Sequence, residues 1–131
     1  VIYLDSSALL KLLHREAESA VLSEWLAARI DTPVVSSVLA KIEVTRACRR
    51  VNADALPAAK TLLAGLDVIP LTGAVADEAA DVGSSTLRSL DAIHLASALS
   101  IRADLSAFVV YDRRLGEAAA DAGLDVVMPG A

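Results

Sequence analysis

The chain has 131 residues, 55% of them hydrophobic, the size and composition of one domain with one sizeable core. Its formal net charge of −5 argues against a general electrostatic nucleic-acid binder, whose affinity comes from lysines and arginines that neutralise phosphates, and aromatics at 3% leave no row of rings for stacking bases. A single cysteine, Cys48, excludes an internal disulfide, and with no CxxC or HxxxH pair beside it or beside His14 and His94 a zinc cage is not expected.

In chain order, VIYL (1–4) predicts a short buried strand, after which Ser6 and Ser7 offer N-caps to an apolar segment ending near Leu13. Residues 17–29 place Ala20, Val21, Trp25 and Leu26 at helical spacing, Pro33-Val34-Val35 reads as a strand, and 37–52 and 54–66 read as helices. A short strand at Val68-Ile69, a helix near 74–82, a helix from Ser89 to about Ile101, the strand FVVY (108–111), a helix at 113–122 and the strand VVM (126–128) complete the pattern. Gly65, Gly73, Gly83, Gly116 and Gly123 fall near the inferred element ends. Strands and helices alternate throughout, which predicts a single α/β domain over residues 1–131 with a mostly parallel sheet between helical layers. No run of 18 apolar residues is free of charge, and an acid stands at position five where a signal peptide carries bases, so a cytoplasmic protein with no membrane partner is expected.

Two separate strands are each followed by an aspartate, Asp5 and Asp112. Ligands of open α/β sheets bind outside the carboxyl ends of the strands, where the strand order reverses. Each aspartate therefore has two readings, as a cap of the next helix and as a group of a shared crevice. Asp91 lies in LDAIHLASALSI, apolar on nearly every face. A charge there either complements the helix dipole, with His94 at i+3 as a hydrogen-bond partner, or needs a strong partner such as a metal ion. Glu43, between Ile42 and Val44 in the middle of a helix, is no cap; a surface ion pair with Lys41, Arg46 or Arg50 is the plain alternative to a site role. Four carboxylates converging on one crevice cannot all stay ionised without cations, and oxygen ligands suit magnesium or manganese. Ser7 is placed either to open the helix or to orient a ligand carboxylate. Of the clustered arginines, Arg46, Arg49 and Arg50 fit a solvated helix face, and Arg113 and Arg114 are candidate phosphate contacts.

The segments YLDSSALLKLL (3–13), SSVLAKIEVTRA (36–47), LRSLDAIHLASAL (87–99) and VVYDRRLGEAAADAGL (109–124) resemble, in order, the four motifs of PIN domains in VapC-type toxins. The resemblance spans nearly the whole chain. It implies a PIN-like three-layer α/β/α sandwich and Mg2+- or Mn2+-dependent endonuclease action on RNA that leaves a 5′-phosphate and a 3′-hydroxyl. It also implies inhibition by a small VapB-type antitoxin and assembly as a homodimer or a toxin–antitoxin hetero-oligomer. Asp5, Glu43, Asp91 and Asp112 would form the acidic quartet and hold the metal, with Asp5 and Asp91 foremost, and Ser7 matches the hydroxyl that follows the first aspartate. Where some members carry another acid or amide four residues after the fourth motif's aspartate, this chain has Gly116, which puts a second metal in doubt. The alternatives are a PIN nuclease of RNA processing or DNA repair without an antitoxin, and a non-catalytic PIN-like interaction module. An antitoxin arginine is expected to enter the acidic pocket beside Asp5 or Asp112, with its flanking segment in an apolar groove between helices 17–29 and 54–66, near Trp25.

Overall fold

A computed structural model of all 131 residues shows five strands and seven α-helices. In chain order these are β1 (Ile2–Leu4), α1 (Ser6–Leu13), α2 (Ser19–Ala27), β2 (Val34–Ser37), α3 (Val38–Val51), α4 (Leu56–Ala64), β3 (Asp67–Ile69), α5 (Gly73–Asp81), α6 (Ser89–Ser100), β4 (Ala107–Val109), α7 (Arg113–Asp121) and β5 (Val126–Val127). A 3-10 turn at Ala53–Ala55 joins α3 to α4. The strands form one sheet of order β3-β2-β1-β4-β5, every pairing parallel.

Because side chains alternate along a strand, the two faces of the sheet gather separate cores. Ile2, Leu4 and Val109 point to one, where they join Leu9 of α1, Leu22 of α2, Val44 of α3 and Ala59 of α4. Tyr3, Phe108 and Val110 point to the other, against Leu95 and Leu99 of α6 and Leu115 of α7. Strands buried on both faces are the normal condition of a parallel sheet. They explain why VIYL carries no polar alternation.

From β1 the chain works outward through β2 to β3, then returns across the sheet to add β4 and β5 on the other side of β1. The strand order therefore reverses between β1 and β4, whose registers put Leu4 beside Val109. Both strands end at the same edge of the sheet, and the crevice of an open α/β sheet opens there. The helices entering that edge bring the remaining site residues.

Three local expectations are corrected. β4 stops at Val109 rather than Tyr111: the Val110 amide still reaches Val127 O at 3.2 Å, but the Tyr111 amide turns away to Ser7 Oγ at 3.0 Å. Asp112 thus stands three residues past the strand. The cap of α1 is Asp5 itself rather than Ser6 or Ser7, because a carboxylate one residue earlier is the group that reaches the Ala8 amide, at 3.0 Å. Gly116 lies inside α7 rather than at an element end, and a side chain built on it would meet Val110 and Val126 at 3.5 and 3.7 Å, facing the sheet. Gly83, by contrast, sits in a turn at φ +73°, where a Cβ would strike Leu87 at 2.8 Å; only glycine suits both the backbone and the close approach.

Candidate active site

Asp5 is 3% exposed at the end of β1. Its Oδ1 accepts from the Ala8 amide at 3.0 Å and from the Ser7 hydroxyl at 2.6 Å, which leaves Oδ2 without a protein donor. Ser7 Oγ in turn accepts from the Tyr111 amide, so one hydroxyl ties the end of β1 to the segment beyond β4. Burial pushes the Asp5 carboxyl up to about 6, against the downward pull of the Ser7 hydrogen bond and of His94. Desolvation outweighs the hydrogen bonds here.

Glu43, on α3, faces inward. Its Oε1 accepts from Ser6 Oγ at 2.6 Å and from His94 Nε2 at 2.7 Å, and no ion pair joins it to Lys41, Arg46 or Arg50. The surface-pair reading of Glu43 is thereby corrected, since Glu43 is drawn into a buried network while those cations lie on the exposed side of α3. Burial alone would raise this carboxyl, but the hydrogen bonds from His94 and Ser6 together prevail and hold it below the usual glutamate range.

His94, 1% exposed on α6, is the hub that the sequence concealed. The pairing expected with Asp91 is not made. Instead Nδ1 lies 2.7 Å from the Tyr3 hydroxyl, and Nε2 meets Glu43 with Ser6 Oγ at 3.1 Å. With Nε2–H donated to the carboxylate, Nδ1 is left as acceptor from Tyr3, the arrangement of the Nε2-protonated tautomer. Burial, followed by the charge of Asp5, raises the Tyr3 hydroxyl well above the usual tyrosine range and keeps it a donor. The ring of Tyr3 is itself stacked on Phe108, centroids 5.2 Å apart. A chain of contacts thus runs from the core under β4 through Tyr3 and His94 to one oxygen of Glu43. The other oxygen, Oε2, carries no protein hydrogen bond.

Asp91 lies in the first turn of α6, whose cap position is Arg88 with no side-chain capping bond. Asp112 caps α7, its Oδ1 accepting from the Leu115 amide at 2.9 Å. Arg88 stands between the two, Nε at 3.4 Å from Asp91 Oδ2 and a terminal nitrogen at 3.6 Å from Asp112 Oδ2. Burial first, and the neighbouring Asp112 charge second, raise the Asp91 carboxyl despite Arg88. Arg113 and Arg114 are exposed at the start of α7. Neither forms a side-chain ion pair.

Near the edge where β1 and β4 end, the four acids predicted from the sequence fall into three groups: Asp5 with Ser7, Glu43 with Ser6 and His94, and Asp91 with Asp112 through Arg88. For Asp5 and Asp112 the cap and crevice readings are compatible, because capping engages only Oδ1 of each. As the side chains stand, no three acidic, histidine or cysteine groups close on one point as a finished metal cage does. The donor set nevertheless fits a hard divalent cation. It is carboxylate oxygen only, and each carboxylate has one oxygen either free of protein donors or held loosely by Arg88.

A parallel sheet with helical layers on both faces and carboxylates gathered at its switch point defines a class of protein, and the comparisons agree with it. The PIN domain family matches residues 2–121. Three ribonucleases of Mycobacterium tuberculosis align along nearly their whole length: VapC35 at 44% identity, covering 99% of this chain and 98% of that protein, VapC47 at 42%, covering 100% and 98%, and VapC46 at 43%, covering 98% and 97%. The chain belongs to the VapC family of PIN-domain proteins. Among solved structures, M. tuberculosis VapC20, described as a toxin cleaving the sarcin–ricin loop, superposes with a TM-score of 0.76 at 19% identity, covering 98% of this chain and 100% of that one. The VapBC2 complex of Rickettsia felis, bound to a promoter DNA fragment, gives 0.72 at 9% identity, covering 97% and 98%. These two attest the fold.

Proposed function

We propose that this protein is the toxin of a toxin–antitoxin pair, an endoribonuclease that hydrolyses RNA phosphodiester bonds with Mg2+ or Mn2+ held by Asp5, Glu43, Asp91 and Asp112. The observation that carries the reading is the half-satisfied state of three of these carboxylates, Asp5, Glu43 and Asp112: one oxygen is fixed by a hydroxyl, an amide or His94, and the other is left free or held only by Arg88, which also holds Asp91. Such fixing presents a ligand in one orientation, as outer partners of metal ligands do. When bound, the cation would polarise the scissile phosphate and lower the pKa of the attacking water. Ser7 orients Asp5, Tyr3 and His94 orient Glu43, and Arg113 and Arg114 offer phosphate contacts beside Asp112. Gly116, facing the sheet, adds no carboxylate, and we take one metal as the working number.

The partner in this reading is a VapB-type antitoxin. An open groove of about 490 Å3 lies between α2 and α4, lined by Leu12, Leu26, Ile30, Val34, Leu62 and Leu66 among others, and it suits the apolar face of a helix or strand. Trp25 is not among the lining residues; its ring lies under the Arg29 guanidinium at 4.0 Å. An antitoxin arginine entering the acidic crevice, and assembly as a homodimer or hetero-oligomer, belong to the same proposal.

The test is cleavage of cellular RNA by the purified chain. Cleavage with Mg2+ or Mn2+, lost with EDTA and lost in Asp91→Asn, is expected. Equal cleavage by Asp91→Asn at saturating metal would remove the basis of the assignment.

A further inference from the structure

Arg88 occupies a position that the proposed reaction does not use. It immediately precedes α6 in extended conformation, φ −67° and ψ 149°, and its guanidinium reaches back to Asp91 on its own helix and across to Asp112 on α7. Both contacts are long and nearly at the limit for an ion pair, and the Arg88 side chain is 71% exposed. A pairing of this kind, screened by water, holds loosely.

The oxygens it holds matter more than the strength of the hold. Asp112 Oδ1 is committed to the Leu115 amide, so Oδ2, the oxygen facing Arg88, is the one Asp112 can offer to any other cation. On Asp91 the same guanidinium takes Oδ2. A divalent ion drawing on Asp112 therefore competes with the Arg88 guanidinium for Oδ2, and on Asp91 it must either displace the guanidinium from Oδ2 or bind Oδ1 directly beside that positive charge. Arg88 cannot go far once displaced, because its Cα is fixed at the head of α6, three residues from Asp91. Its planar fork of N–H donors, exposed to water, then stays within a side chain's reach of the acidic pair and is free to bind a phosphate through two parallel hydrogen bonds. Arg113 and Arg114 emerge beside Asp112 from the other wall, so a phosphate bound there would lie between cations from α6 and α7.

We propose that Arg88 changes partners during the reaction: it neutralises Asp91 and Asp112 in the metal-free protein and, displaced by the metal, becomes the residue that grips the substrate phosphate. The inference rests on the metal-dependent nuclease reading above and assigns to that site a substrate contact.

The experiment compares the unmodified chain with Arg88→Ala and Arg88→Lys in two separate measurements. The first is Mn2+ binding by titration calorimetry without RNA. Arg88→Ala should bind Mn2+ several-fold more tightly, because an internal competitor is gone, and Arg88→Lys should fall between. The second is steady-state cleavage of a short RNA in Mn2+. There Arg88→Ala should raise KM about tenfold or more, the size expected for a lost charge-assisted hydrogen bond, with Arg88→Lys partly restoring it. Opposite directions in the two measurements are the signature; a residue that merely holds the α6 terminus in place would weaken both. Weaker or unchanged Mn2+ binding by Arg88→Ala, or an unchanged KM, overturns the proposal. Failure of the unmodified chain to bind Mn2+ or cut RNA would instead overturn the nuclease reading on which it rests.

Discussion

Asp5 is asked to be a helix cap, a buried group and a charge at once. Its carboxyl is pushed up to about 6 by burial, against about 3.9 in an unfolded chain, so the folded state holds a proton there that the unfolded state releases. The sign follows from linkage: this contribution favours folding fully below about pH 4 and is lost as pH rises through about 6, leaving ionised Asp5 a cost of about 2 to 3 kcal/mol at pH 7. Asp5→Asn keeps an Oδ1 acceptor for Ala8 and Ser7 and removes the charge. Denaturant unfolding of the metal-free protein should therefore show Asp5→Asn more stable at pH 7 by about 2 kcal/mol, the gap closing toward pH 4, while RNA cleavage is lost. An Asn variant no more stable at pH 7 would mean the carboxyl is not strained. At this scale the sequence made the four acids visible because each sits where a charge is out of place: at a strand end, or within a helix whose neighbours are apolar. Ser6, Tyr3, His94 and Arg88 were not visible as site residues. Their roles come from partners 37 to 91 residues away or, for Arg88, from a second carboxylate on another helix, and His94 had a nearer apparent partner in Asp91.

The helices were the most legible elements, since apolar residues at helical spacing announce both their existence and their inward face, and α3 and α6 begin and end within a residue or two of where the pattern places them. The end of β4 was not legible. Val110 and Tyr111 have strand composition, and only the tertiary bond from the Tyr111 amide to Ser7 decides that the strand has finished. The groove between α2 and α4 was expected from their aliphatic faces; Trp25 does not line it, but its ring stacks on Arg29, which does. Ile30, just past α2, lines that groove and is 82% exposed. Replacing an exposed apolar side chain alters stability little, within about 0.5 kcal/mol, whereas a charge placed within an apolar docking surface weakens binding. Ile30→Glu should therefore melt like the unmodified protein yet bind the proposed VapB-type antitoxin at least tenfold more weakly, as measured by titration of the purified pair. Undiminished binding would place the antitoxin elsewhere on the surface.

At the scale of the whole molecule, fold and site depend on each other in one direction only. The strand alternation predicted a parallel sheet but could not give the order β3-β2-β1-β4-β5, because neighbouring strands that are buried on both faces look alike in sequence. That order brings Asp5 and Asp112 to one edge. The cores that enforce it are two apolar clusters, neither of which includes any of the four carboxylates, and Cys48, the one soft ligand, is buried within the first. If these cores suffice for folding, a cation bound to the finished crevice adds only its binding free energy. For one site, a metal concentration ten times Kd contributes about 1.4 kcal/mol, which for a domain of this size corresponds to a rise in Tm of about 5 °C. Melting followed by circular dichroism, first with 10 mM Mg2+ and then after excess EDTA (both on the order of experimental excess over a weak oxygen site), should show one cooperative transition in each case, with the chelated sample lower by about that amount. If EDTA abolished the transition and left an unfolded spectrum, the metal would be a structural element holding the sheet together. The carboxylates would then have to be assigned to folding before catalysis.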